Sequence, residues 1–249
     1  MTGTTPPGTS NPWQAARWVQ QMFGAVAPKY DLLNHLLSFN VDRNWRKRLK
    51  LHLRPVLERQ DACVVDLCCG TGDVLLALRA EASAQIFGAD FCHPMLTAAQ
   101  AKGVHRLIEC DALELPLADN SADALTIAFG FRNLADYEAG LREFRRLLKP
   151  GGMLAILEFS HPRGRLLRSA FGFYSNLLLP AIGAAVSGSS EAYRYLPESV
   201  RKFPRAEKLA EMMAVAGFES VSFELLTGGI AALHVGSKRP VGEDAGRGF

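Results

Sequence analysis

Residues Val64 to Asp73 read Val-Val-Asp-Leu-Cys-Cys-Gly-Thr-Gly-Asp, an apolar strand that runs into a Gly-x-Gly turn with an acid on either side. Gly70 and Gly72 allow a sharp turn and leave bare peptide groups against which a ligand can lie. A strand followed by such a turn opens an α/β unit and places a nucleotide-like ligand at the strand end. A dinucleotide fingerprint has a third glycine three residues after the second, for close helix packing below a pyrophosphate. Here that position is Leu75. Asp66 and Asp73 would repel a pyrophosphate, yet they can accept hydrogen bonds from an ammonium and help screen a sulfonium. S-adenosylmethionine carries both groups, so the turn predicts that cofactor, although a glycine pair alone also marks ordinary turns.

The chain has 249 residues, 48% of them hydrophobic and 21% charged, which suits one globular α/β core. A net charge of +3 makes no demand for a nucleic-acid partner. The five cysteines form no Cys-x-x-Cys pair and no Cys/His cluster of zinc spacing, so they read as cytoplasmic thiols with no metal site. The segment 1–12, rich in Thr, Pro and Gly, lacks the layout of a signal peptide and is expected to be disordered, as is the tail 239–249.

Trp13 to Ala27 has apolar residues at helical spacing and is stopped by Pro28; a second helical stretch runs from Asp31 to about Leu53. From Cys63 onward short apolar strands alternate with helices: Cys63–Leu67, Gln85–Ala89, Arg106–Cys110, Ala124–Phe129 and Met153–Phe159. That alternation predicts a parallel sheet built by right-handed crossovers. Tyr137–Leu148 reads as a helix closed by a stop and turn at Lys149-Pro150-Gly151-Gly152, and Glu207–Ala216 as one capped by Gly217. The last strands, Ser220–Leu225 and Ala231–Gly236, are joined at Thr227-Gly228-Gly229, too short for a crossover, so they pair antiparallel. The expected fold is α/β, a Rossmann-like class I methyltransferase whose seven-stranded, mostly parallel sheet ends in an antiparallel C-terminal hairpin. One domain is expected over 13–238, with 13–55 as a helical cover and 163–200 as a lid or substrate insertion.

In an open parallel sheet the ligand sits at the carboxyl ends of the strands. Asp90 ends the second strand, where its carboxylate can accept both ribose hydroxyls or, alternatively, cap the helix that follows. Asp111 and Ala112 end the third. The Asp111 carboxylate can accept from an adenine amino group while the Ala112 amide donates to a ring nitrogen; a capping turn is the alternative. After the fourth strand comes Phe129-Gly130-Phe131-Arg132-Asn133, where the transferred methyl would be presented.

Tyr30 to Ser38 reads Tyr-Asp-Leu-Leu-Asn-His-Leu-Leu-Ser and is followed by Asp42 and Trp45; Arg146 to Gly152 reads Arg-Leu-Leu-Lys-Pro-Gly-Gly and leads to Glu158-Phe159-Ser160. Together with Phe129 to Asn133, Tyr195-Leu196-Pro197-Glu198-Ser199, Phe203-Pro204 and Leu226 to Ile230, these segments resemble the signatures of the quinone-biosynthesis C-methyltransferases over roughly Phe23 to Lys238. The resemblance implies methylation of demethylmenaquinol or, in the ubiquinone branch, of a methoxy-polyprenyl-benzoquinol. The family's cofactor residues carry over onto Thr71, Asp90, Asp111 and Ala112, and a family serine at the end of the fourth strand is Ala128 here. Ubiquinone-type members commonly carry His where this chain has Asp42, which favours menaquinone.

A quinone ring is electron-poor, so the implied acceptor is the reduced, polyprenylated quinol. Loss of a hydroxyl proton makes its ortho carbon nucleophilic. Arg132 is the candidate to stabilise the phenolate and Asn133 to hydrogen-bond the other ring oxygen, or the two anchor their loop; His161, Tyr30 and Tyr195 are secondary candidates for proton transfer. Leu166 to Val186 is the most apolar stretch, but Arg168, Asn176 and Pro180 interrupt it. It therefore reads as a lid or an isoprenoid channel, with an ordinary buried helix as the alternative, and not as a membrane span. The basic run Arg43, Arg46, Lys47, Arg48, Lys50 and Arg54 reads as a solvated helix face or, with Arg163, Arg165 and Arg168, as a peripheral contact with anionic lipid. Competing readings are an O- or N-methyltransferase of a soluble molecule, and a methyltransferase-fold binding protein without catalysis, against which the acids Asp66, Asp90 and Asp111 speak. Leu75 argues against a nicotinamide oxidoreductase, and homo-oligomerisation stays open.

Overall fold

Strands β1 (Cys63–Leu67), β2 (Gln85–Asp90), β3 (Leu107–Glu109), β4 (Ala122–Ala128), β5 (Leu148–Phe159), β6 (Phe218–Leu226) and β7 (Ala231–Lys238) form one sheet in the order β3-β2-β1-β4-β5-β7-β6. The computed structural model describes residues 3–31, 38, 40–80, 82–174 and 190–240. Strands β1 to β5 pair in parallel, and β7 runs antiparallel to both β5 and β6. This is the expected class I architecture, and its winding reverses between β1 and β4, which opens a crevice at their carboxyl ends.

Beside the sheet lie α1 (Pro12–Val26), α2 (Val41–Leu57), α3 (Asp73–Arg79), α4 (His93–Ala101), α5 (Tyr137–Leu147), α6 (Arg165–Phe173), α7 (Ser190–Lys202) and α8 (Ala206–Val215). The run Leu154-Ala155-Ile156-Leu157 of β5 is apolar without interruption because both its faces are covered. Leu154 and Ile156 join the core containing Leu141 and Phe144 of α5, whereas Ala155 and Leu157 join Leu49 and Leu53 of α2. In α2 the stripe Trp45, Leu49, Leu53, Leu57 recurs every four residues, which puts all four against the sheet. Each such side chain stabilises the fold by roughly 1.5–3 kcal/mol. The side chain of Asp136 caps α5 by accepting from the Ala139 amide at 2.9 Å.

Three local expectations change. The segment Lys149-Pro150-Gly151-Gly152 does not end the helix in a free turn: β5 already begins at Leu148, which pairs with Ala122, and the register shifts between Ala122 and Ala124. Helix α2 begins at Val41 and not at Asp31, since Asn40 before it is left-handed with φ 59°, and it continues past Leu53 to Leu57, with Pro55 inside it. The amino-terminal segment, read as loose, is held from residue 3 onward: the Thr4 amide donates to the Leu134 carbonyl at 2.8 Å, and the Thr4 side chain is buried. Positions 32–37 of the first signature, 175–189 of the stretch read as a lid, and the tail from 241 lie outside the described residues. Among the described residues no helix is long and apolar enough to cross a membrane.

Candidate active site

The carboxyl ends of β1 to β4 line one cavity. Gly70 follows β1, Asp90 ends β2, Asp111 and Ala112 follow β3, Phe129 and Gly130 follow β4, and Phe23 with Tyr30 closes the cavity from the amino-terminal cover. Gly70 and Gly72 both hold positive φ, 54° and 81°, as the turn requires. A Cβ on Gly70 would meet nothing within 4 Å, whereas one on Gly72 would lie 3.1 Å from Val104. Gly70 therefore leaves space for a ligand, and Gly72 lets α3 start close to its neighbours.

The Asp90 carboxylate accepts from the Gly70 amide at 2.8 Å and from the Cys92 amide at 2.9 Å. Burial raises its pKa, and these backbone donors work against the rise. The side chain thus makes the local turn weighed as an alternative and ties the end of β2 to the glycine turn. A carboxylate has about four acceptor positions, so capacity for a ligand remains. Asp111 is exposed and accepts from the Leu113 amide at 2.8 Å, again a local turn on the cavity rim.

Besides Gly72, which is not on the cavity wall, two further sequence candidates lie elsewhere. Asp66 is buried beneath the turn, accepts from the Thr126 hydroxyl at 2.5 Å and does not line the cavity. Burial pushes its carboxyl up to about 7, despite the Thr126 hydrogen bond. Thr71 is buried too, and its hydroxyl donates to Asp31 at 2.5 Å. Lys102 Nζ lies 2.6 Å from both Asp31 and Asp73, so Asp73 faces an ammonium of the protein itself. This cluster straps the segment after α1 onto the glycine turn; nothing in the local sequence around Lys102 signals it.

The second cavity, of about 380 Å³, is mainly apolar. Met22, Phe23 and Val26 of α1, Trp45 of α2, Phe159 at the end of β5 and Leu167 and Phe171 of α6 form much of its wall. The described parts of 163–200 and of 13–55 thus both contribute to it. Phe23, Tyr30 and Phe129 line both cavities, which therefore meet at these three residues. Phe129 has φ 59° and Cys68, at the end of the adjacent β1, has φ 49°, a costly conformation for side-chain-bearing residues that here clusters at the junction. Phe129 is held by Trp45 and Phe159, with ring centroids 5.9 and 4.9 Å away, and Trp45 Nε1 donates to the Thr227 hydroxyl at 2.8 Å. Gly130 has no alternative: a Cβ there would lie 2.4 Å from Cys68 Cβ.

Arg132 and Asn133 divide between the cavities, Arg132 on the apolar wall and Asn133 on the strand-end wall. Arg132 Nη1 donates to Glu158 at 2.8 Å and to the Phe129 carbonyl at 2.5 Å. Burial acts to lower the Arg132 pKa, but the Glu158 carboxylate, together with Tyr195 and Tyr30, outweighs it and the net shift is upward, so the cation persists. Asn133 Oδ1 accepts from Tyr195 at 3.0 Å, and its Nδ2 faces the Phe129 carbonyl at 3.4 Å. Both residues therefore anchor the loop while reaching a cavity wall. Burial raises the Tyr195 phenol pKa, so Tyr195 acts as a donor at neutral pH and not as a base. His161 lines neither cavity, and burial lowers its pKa. In the sequence Glu158 stands out only as part of a signature; its role depends on the register that sets the ends of β4 and β5 side by side.

The ubiE/COQ5 methyltransferase family matches residues 12–238. The chain is 49% identical over 223 residues to the demethylmenaquinone methyltransferase of Thermus thermophilus, covering 87% of this chain and 100% of that one. It is 41% identical to the ubiquinone/menaquinone biosynthesis C-methyltransferase UbiE of Geotalea uraniireducens, covering 88% and 96%. Among solved structures it resembles a possible histamine N-methyltransferase from Thermotoga maritima, with a TM-score of 0.60, 20% identity and coverage of 88% and 99%, a likeness that speaks to the fold. With the family matched along nearly the whole described chain and relatives of closely similar length, this chain belongs to the ubiE/COQ5 methyltransferase family.

Proposed function

We propose that this S-adenosylmethionine-dependent methyltransferase methylates a ring carbon of demethylmenaquinol to give menaquinol. One observation carries the reading: a cavity at the strand ends and a larger apolar cavity meet at Phe23, Tyr30 and Phe129. The relative from Thermus thermophilus, named a demethylmenaquinone methyltransferase, supports the choice of acceptor.

The residues present fit the cofactor. Gly70 leaves open space, Asp90 has acceptor capacity for ribose hydroxyls, and Asp111 and the Ala112 amide stand at the third strand end for the adenine. When bound, S-adenosylmethionine supplies an electrophilic methyl group. Thr71 and Asp66 would act through the shape of the turn and not by direct contact, since their side chains are engaged by Asp31 and Thr126.

The apolar cavity would exclude water from the quinol ring and take the first part of its prenyl tail. Arg132, fixed at the wall of the apolar cavity, stabilises negative charge on a quinol oxygen as its proton leaves, and Asn133, on the strand-end wall beside Phe129, hydrogen-bonds the other ring oxygen. The activated ortho carbon takes the methyl, and loss of that carbon's own proton restores the aromatic ring. Leu166 and Phe173 of α6 are exposed and sit in the same helix as Arg165 and Arg168, a composition suited to resting this face on an anionic membrane. Pelleting with anionic but not neutral vesicles tests that contact. By contrast Arg46, Arg48 and Arg54 of α2 are paired with carboxylates and are left out of it.

Incubation with labelled cofactor and each reduced demethylated quinone, followed by mass spectrometry, tests the acceptor. Label in the naphthoquinol supports the proposal. The name of the Geotalea relative keeps the ubiquinone branch as a second reading, which label confined to the benzoquinol would favour; label in neither overturns both.

A further inference from the structure

We infer that Thr4 is a positioning residue for methyl transfer, acting through Tyr195 to hold the Asn133 side-chain amide in one orientation at the junction of the two cavities. The Thr4 and Tyr195 hydroxyl oxygens lie 2.7 Å apart, and Tyr195 donates to Asn133 Oδ1 at 3.0 Å. A phenol has one proton, and Tyr195 gives it to Asn133; the Thr4 hydroxyl must then donate to the phenol oxygen. The result is a directed chain from Thr4 to Tyr195 to Asn133. An asparagine amide has nearly the same shape when flipped, so only its partners decide which end faces where. With Oδ1 engaged by Tyr195, the Nδ2 group is turned toward the Phe129 carbonyl, 3.4 Å away at the end of β4.

The relay crosses the boundary between the sites: Tyr195 lines the apolar cavity and Asn133 the strand-end cavity. Thr4, Asn133 and Tyr195 are all buried, so no solvent competes for these bonds. The backbone around Thr4 is fixed independently. Its amide donates to the Leu134 carbonyl at 2.8 Å, and Gly3 lies so close to the next residue that a Cβ would fall 2.0 Å from the Ala135 oxygen. Thr5 is braced from α7 by Lys202 at 3.3 Å. Thr4 precedes the stretch 12–238 matched by the family model.

This inference rests on the role given to Asn133 above, and the experiment separates the two. Thr4→Val keeps the shape and removes the hydroxyl; Thr4→Ser restores the hydroxyl; Thr5→Ala alters the same segment without touching Tyr195. Single-turnover rates with cofactor and quinol saturating, normalised to folded protein by cofactor titration, are expected to fall about fivefold or more in Thr4→Val, with KM for both substrates nearly unchanged. Thr4→Ser and Thr5→Ala stay within about twofold of wild type. In the Asn133→Ala background Thr4→Val has no further effect. Independently of turnover, isotope-labelled asparagine gives the Asn133 side-chain amide resonance, which shifts in Thr4→Val and not in Thr5→Ala. An unchanged rate in Thr4→Val while Asn133→Ala is impaired overturns the relay alone, as does an equal loss in Thr4→Ser. A wild-type rate in Asn133→Ala overturns the role of Asn133 itself, and the relay with it.

Discussion

Arg132 Nη1 and Glu158 Oε1 face each other at 2.8 Å across the ends of β4 and β5, with 6% and 1% of their side chains exposed. The cation beside the apolar cavity is thus held by a buried anion. Deleting one member of such a pair leaves an uncompensated charge, so Glu158→Ala is expected to lower the unfolding free energy by about 3–5 kcal/mol in urea titration.

Arg132→Ala should reduce turnover by roughly 100-fold while cofactor affinity, measured by calorimetry, stays at the wild-type value, because Arg132 lines the apolar cavity only. Turnover near wild type would remove Arg132 from the mechanism.

Asp90→Ala should act on the other cavity. It removes acceptors for the Gly70 and Cys92 amides as well as those proposed for the ribose. Charged hydrogen bonds contribute about 1.5–3 kcal/mol each, so cofactor affinity should fall by roughly 10- to 100-fold. Calorimetry checks this; quinol KM should change little.

Asp66 imposes a pH dependence on stability. Its carboxyl is pushed up to about 7 in the fold from an ordinary value of 3.8, so between these limits the native state holds a proton that the unfolded state has released. This contribution therefore decreases as pH rises from about 4 to 7, by at most about 1.4 kcal/mol per pH unit. Denaturant curves at several pH values should show the slope in wild type and its loss in Asp66→Asn. Parallel pH profiles for the two proteins would contradict the assignment.

Gly130→Ala should impair folding and turnover, since its Cβ would lie 2.4 Å from that of Cys68; overpacking of this kind costs about 1–3 kcal/mol. Cys68→Gly should recover much of the loss, because glycine removes the opposing Cβ and suits φ 49°. Thermal melting of the single and double variants checks the pair.

The strands were readable because their apolar runs are short and punctuated, and the order of their ends located Asp90, Asp111 and Ala112 on one cavity. Asp66 and Thr71 stand off the cavity wall because strand alternation and the turn point their side chains to Thr126 and Asp31, partners 60 and 40 residues away. Pro150 and Gly151 looked like a stop because local propensity gives no sign of the Leu148–Ala122 pairing that starts β5 early. Thr4 sits in a stretch of loop composition, and its hydrogen bond to Tyr195 spans 191 residues, beyond any local pattern. Contacts of that kind arise from tertiary packing alone.

Methyl transfer to carbon where the two cavities meet is read out by nuclear magnetic resonance of the product formed from methyl-labelled cofactor and demethylmenaquinol: the label is expected as a ring methyl, and a methoxyl signal, or no labelled product, would overturn carbon methylation.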